Sequence, residues 1–159
     1  MNYRKVRENR KRRENIEIIK IRLSNYGKNI KLIDEIKSEV REKRDRLDML
    51  RCGWSDSDPI NGGGTNQEEK ITYILDEIKF LEDEIKEIRY GDEEISNSIA
   101  KLNDKMLKSI VFRLWVYDKY SDKHDTIRGI ARKYDLSKDM VWRKSDAALL
   151  SIYKSLYNY

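Results

Sequence analysis

Between Thr126 and Lys144 the chain reads TIRGIARKYDLSKDMVWRK, and its residue types suit a helix laid against a polyanion. Lysine or arginine can donate to a guanine edge, and aspartate can accept from a cytosine amine. Ser137, Lys138, Asp139, Trp142 and Arg143 fall at the start of one helix, where major-groove reading places its contacts. Arg128, Arg132, Lys133 and Lys144 are spaced to hold phosphates, contacts that set register without reading bases. Trp142 is the unusual member. Its indole can meet a sugar or a thymine methyl, or fold against the C-terminal helix.

Two helices and a turn must position these side chains. Ile127, Ile130 and Ala131 follow i, i+3, i+4 spacing and line one face of a first helix. Ala131 is small where the second helix crosses. Asp135-Leu136-Ser137 supplies a turn, an inward apolar residue and a capping oxygen. Glycine is common at such a turn, but aspartate tolerates the left-handed conformation better than most residues. The second helix buries Val141 and continues through Ala147, Ala148, Leu149, Ile152 and Leu156, predicted to pack on Ile110, Leu114 and Trp115. Tyr153, Tyr157 and Tyr159 complete that core or offer a contact surface.

The rest of the chain reads as a helical frame, so the fold class is all-α. Of 159 residues, 40% are charged and one is proline, which favours long solvated helices over a thick core. From Glu14 to Leu50, Ile19, Tyr26, Ile33, Val40 and Leu47 recur every seventh residue, with Leu23, Ile30, Ile36 and Leu50 between them. Gly27 interrupts this helix at a cost of about 1 kcal/mol against alanine, which can kink it but need not end it. A second series, Ile71, Ile78 and Ile85 with Ile74, Leu81, Ile88, Ile95 and Leu102, supplies a partner. An antiparallel hairpin over 14–102 follows, with homodimerisation through the same faces as the competing arrangement. Gly91-Asp92 predicts a kink or short interruption. Asn103 or Asp104 then caps a helix carrying Met106, Leu107, Ile110, Val111, Leu114 and Trp115, opening a separate domain over 103–159.

Charge is distributed unevenly. Residues 1–52 carry a net +8, residues 53–107 a net −8 and residues 108–159 a net +5. The first two can pair, leaving the third for a polyanion. An arm over 1–13 concentrates seven basic residues and one acid in RKVRENRKRR; it reads equally as a solvated helix start or a phosphate-contacting segment.

Other chemistries find little footing. The loop from Gly53 to Gln67 holds three consecutive glycines, but Gly64 is followed by Thr65-Asn66 rather than the Lys-Ser/Thr of a phosphate loop. Started at Asp56, the same stretch places Ile60, Asn61 and Gln67 where a calcium loop needs an oxygen ligand, glycine and glutamate. Trp54 is expected to pack on its own hairpin, with a docking anchor as the competing reading. One histidine, His124, expected to be solvated, and one cysteine, Cys52, make neither a zinc site nor a Cys–His pair within one chain. No enzymatic activity, metal or cofactor is expected. No long apolar run predicts a membrane span, the N-terminus lacks a secretory pattern, and a lone cysteine fits a reducing, cytoplasmic setting.

The segment from about Ile99 to Leu156 resembles the promoter-reading region 4 of sigma factors, through Met106–Val116, IRGIARKYDLS and the helix running into AALLSIY. Over about 15–156 the chain resembles more closely the RinA/ArpU-type late-gene transcriptional regulators of bacteriophages of Gram-positive bacteria. Leu23-Ser24-Asn25-Tyr26 and the loop residues Trp54, Asp56, Asp58, Asn61, Gly62 and Gly63 carry that likeness. It implies activation of phage structural, packaging or lysis genes through upstream double-stranded DNA, in a bacterial host cell and in possible contact with host RNA polymerase. Two other readings compete: a DNA-packaging protein like a small terminase subunit, and a structural coiled-coil adaptor without salt-sensitive DNA affinity.

Overall fold

The computed structural model describes residues 2–53 and 66–158, which form α-helices and one π-helical turn and contain no strand. In chain order these are α1 (Tyr3–Arg51), α2 (Gln67–Gly91), α3 (Glu93–Ala100), α4 (Lys105–Val111), the π-turn (Phe112–Val116), α5 (Ile127–Lys133) and α6 (Lys138–Tyr157). The expected all-α class is thus observed. The readings placed on Trp54, Asp56, Asp58, Asn61, Gly62, Gly63 and Tyr159 lie outside the described residues.

The chain divides into two compact units, residues 1–30 with 92–159 and residues 31–91. This differs from the predicted boundary at residue 103, and burial gives the reason. Ile16, Ile19 and Leu23 of α1 share a core with Ile95 and Ile99 of α3, Leu102, Val111, Val116, and Ala148, Leu149 and Ile152 of α6. The first part of α1 therefore belongs with the C-terminal helices, and Ile95 and Leu102 lie in that core although they keep the heptad phase of α2. No break separates the basic stretch from the amphipathic one either: residues 4–13 are the first turns of α1 itself.

The unit 31–91 is an antiparallel helix pair. Ile33, Ile36, Val40 and Leu47 of α1 bury against Ile74, Ile78, Leu81 and Ile85 of α2. Lys43 Nζ donates to Glu77 Oε2 at 2.8 Å, Arg44 pairs with Glu82, and Gln67 donates to the Leu50 carbonyl. These links join a basic helix to an acidic one, as the charge pattern predicts.

Within the other unit, α4 is covered on two sides. Met106, Ile110 and Leu114 face a small core made by Ile130, Ala131 and Val141, whereas Leu107, Val111 and Trp115 face the larger core with α1, α3 and α6. The expected packing of α6 on Ile110, Leu114 and Trp115 is thus present, but it is divided between two cores, with Val141 meeting Ile110 and Leu114 in the smaller one. Ala148, Leu149 and Ile152 of α6 meet Trp115 in the larger core; Ala147, expected in the same apolar series, is exposed. Rows at i, i+4, i+8 starting one residue apart point to adjacent sides of a helix.

The two helical glycines behave differently. Gly27 does not interrupt α1, which is helical throughout. At Gly91 the short interruption is real: α2 ends there and α3 starts at Glu93. Asp92 makes no capping bond with its side chain; its Oδ1 instead accepts from Asn29 Nδ2 at 2.9 Å.

Candidate nucleic-acid interface

The candidate residues are grouped around the connection from α5 to α6. Thr126 precedes α5 in an extended conformation, and its hydroxyl accepts from the Gly129 N–H at 3.1 Å. This satisfies one of the donors that a helix start leaves unpaired. Asp125 lies beside it: Oδ1 accepts from the Thr126 N–H at 2.7 Å, and Oδ2 is 3.9 Å from an Arg113 guanidinium nitrogen. A β-carbon on Gly129 would fall 1.8 Å from Asp125 Oδ1, so glycine makes room for the carboxylate.

The end of α5 closes by a double backbone link. The Leu136 N–H donates to the Ala131 carbonyl at 2.9 Å, and the Asp135 N–H donates to Arg132 at 3.4 Å. Between them Asp135 has φ +52°, the left-handed conformation expected of it. This is a Schellman closure, and its usual apolar contact is present because Leu136 and Ala131 share one core. Ser137 then caps α6, its hydroxyl accepting from the Met140 N–H at 3.1 Å. Asp104 caps α4 in the same way, accepting from the Met106 N–H at 2.8 Å.

The consequence for the candidate residues is geometric. Val141, Ser145 and Ala148 are wholly buried on one side of α6. Lys138, Asp139, Trp142 and Arg143 occupy i, i+1, i+4 and i+5 on the opposite side, and all four are exposed. Ser137 is exposed just ahead of them, with its oxygen engaged as the cap. Arg128, Arg132 and Lys133 are exposed on α5, and Lys144 is half-buried. Among the described residues no carboxylate lies within ion-pairing distance of these six lysines and arginines. Their charge is available to an outside anion.

Trp142 is 44% exposed, and its ring lies 6.4 Å from that of Trp115 at 45°. It thus rests on the π-turn and keeps part of its surface for contact. Trp115 is held in turn by its Nε1, which donates to the buried Ser145 hydroxyl at 2.8 Å, and by Lys20, whose Nζ lies 4.4 Å from the ring centroid.

Three further residues of this region lie outside the candidates named from the sequence. Tyr134 donates its hydroxyl to Ser109 Oγ at 2.9 Å and so ties the turn to α4, while Lys133 Nζ stands 5.6 Å from its ring centroid. Met140 is 41% exposed beside the candidate face. His124, expected to be solvated, is half-buried, with Nδ1 3.1 Å from the Tyr117 carbonyl oxygen. Helical spacing could have flagged Met140 alone, because the other two depend on contacts distant in sequence.

The basic segment 4–13 is helical and every residue in it is exposed. Arg4 and Arg10 pair with Glu8 and Glu14 at 3.1 and 3.0 Å. Among the described residues no group of three His, Cys, Asp or Glu side chains is placed to hold a metal ion. No helix there is long and apolar enough to cross a membrane. Comparison of the chain with family models, with curated proteins and with solved structures finds no match.

Proposed function

We propose that this chain is a sequence-specific DNA-binding transcriptional regulator without enzymatic activity. The first turns of α6 read the major groove. Arg128, Arg132, Lys133 and Lys144 hold the phosphates, and the basic start of α1 adds backbone contacts. The proposed architecture is a helical hairpin followed by a helix-turn-helix, the hairpin serving for homodimerisation or contact with host RNA polymerase. The resemblance to RinA/ArpU-type regulators extends this to activation of phage late genes within the bacterial host cytoplasm.

One observation carries the reading. A Schellman closure at Asp135 and a serine cap at Ser137 hold two short-linked helices so that Lys138, Asp139, Trp142 and Arg143 face away from the core. A row of donors and an acceptor at the start of an exposed helix, flanked by unneutralised cations, fits base edges between two phosphate rows.

The test is selection of duplexes from a random pool by the full chain. One recurring sequence is expected, and the variant Lys138→Ala/Arg143→Ala is expected to lose that preference while keeping weaker general affinity. Recovery of no preferred sequence by the wild-type chain would overturn base reading. Mapping of bound DNA in the host should then give a peak upstream of late genes.

A further inference from the structure

The unit 31–91 carries a basic cleft that the candidate interface does not use. It has a volume of about 370 Å³ and lies between α1 and α2. Lys37, Arg41 and Arg44 line it from α1, and Lys86 and Arg89 from α2; Glu82, paired with Arg44, is the only carboxylate in its lining. The concentration is unexpected on α2, which holds eight acidic residues against four basic ones. Two of those four basic residues gather at this one place.

Two of the five cations, Arg44 and Lys86, are paired with carboxylates and three are not. Lys86 has Asp83 at 3.8 Å, and Arg41 donates to the Ser38 hydroxyl at 2.9 Å. Among the described residues, Lys37, Arg41 and Arg89 have no carboxylate within ion-pairing distance. Farther along the same helix pair Lys43 is met by Glu77 and Glu39, whereas three of the five cleft cations are not met by any carboxylate of the described residues.

We infer that this cleft is a second nucleic-acid contact, holding the phosphodiester backbone of DNA through Lys37, Arg41, Arg44, Lys86 and Arg89. The inference rests on the proposed DNA-binding function and adds a site outside the helix-turn-helix. Shape favours a strand over a small anion. The α1 cations at i, i+4 and i+7 extend over about 10 Å of helix, and one strand presents a charge about every 3.4 Å of duplex axis. Between the cation rows the floor is apolar, made by Val40 and Ile85. A single phosphate calls for donors converging on one point, whereas sugar faces between phosphates suit such a floor.

The experiment measures the full chain's affinity for duplex DNA across a range of salt concentrations. Lys37→Ala/Arg41→Ala/Arg89→Ala should lower the slope of log affinity against log salt by about 2 to 3, with the preferred sequence unchanged. The same positions changed to glutamine should behave alike, which separates lost charge from lost packing. Arg46→Ala/Arg51→Ala/Lys79→Ala alters net charge equally outside the cleft and should change the slope by less. An unchanged slope in the cleft variants, or an equal fall in cleft and control variants, would overturn the inference. So would an unchanged slope accompanied by a change in oligomeric mass, because the cleft would then belong to a subunit interface. If Lys138→Ala/Arg143→Ala leaves sequence preference intact while the cleft variants lower the slope, the reading head fails and the cleft stands.

Discussion

A β-carbon placed on Gly27 of α1 would lie 1.8 Å from the Val116 carbonyl oxygen and 2.8 Å from its carbon. The end of the π-turn is thus seated directly on the backbone of α1. Alanine at Gly27 should raise helix propensity by about 1 kcal/mol, yet the obstructing atoms are main chain and cannot rotate away.

The clash should win. Gly27→Ala is expected to destabilise the unit 1–30 with 92–159 by about 1–3 kcal/mol, read from urea unfolding. Gly91→Ala, where nothing lies within 4 Å of the added carbon, should be neutral or stabilising. Equal effects at the two glycines would show that the Val116 contact is unimportant.

Asp135 sits at φ +52° inside the closure of α5. Asp135→Gly should preserve or slightly raise stability, whereas Asp135→Val should cost about 1–2 kcal/mol because a branched side chain resists that conformation. Thermal melts of the two variants check this. Similar melting temperatures would mean that the turn relaxes to another geometry.

Arg143 tests the proposed base reading. Arg143→Ala should weaken binding to the selected duplex by about 1–3 kcal/mol and relax preference at one base pair. Competition binding with duplexes varied one position at a time gives the answer. A uniform loss on every duplex would assign Arg143 to phosphate instead.

Acid should loosen the helix pair through Glu77. Hydrogen bonds from Lys43, first, and from Tyr73 hold its carboxyl below the usual value. The same bond to Glu77 raises Lys43. A depressed carboxyl contributes stability above its unfolded value and loses it as pH falls through the folded one. Glu77→Gln should therefore melt lower than wild type near neutrality, with the gap closing in the acid range below about pH 4. The gap should be small, because both side chains are partly solvated. A gap constant from neutral to strongly acid pH would remove Glu77 from the account.

Much of the local design was legible because it depends on neighbours in sequence. Ser137 and Asp104 announce helix starts, Asp135 announces the turn, and Ile130, Ala131 and Val141 announce the buried side. The heptads from Ile33 to Leu47 are likewise periodic. What escaped depends on contacts between distant segments. The use of Gly27 is visible only once Val116 arrives against it. Ile95 and Leu102 keep the phase of α2 but join Ile19 and Leu23, because a heptad records which side is apolar without naming the partner. The two-sided burial of α4 was hidden for the same reason: one apolar run served two cores. On the candidate face, spacing identified the exposed residues of α6, while Tyr134 and the seat of Trp142 on Trp115 needed three dimensions.

The unit 1–30 with 92–159 is interrupted by the whole of the unit 31–91, and this sets an order on synthesis. Ile16, Ile19 and Leu23 leave the ribosome early, yet Ala148, Leu149 and Ile152, which cover them, are made near the end. At about 5–20 residues per second, the delay is on the order of ten seconds. Throughout it the nascent chain carries an uncovered apolar strip, while the contiguous helix pair 31–91 can close first. The α5–α6 turn region then gains its foundation only as the last helix emerges.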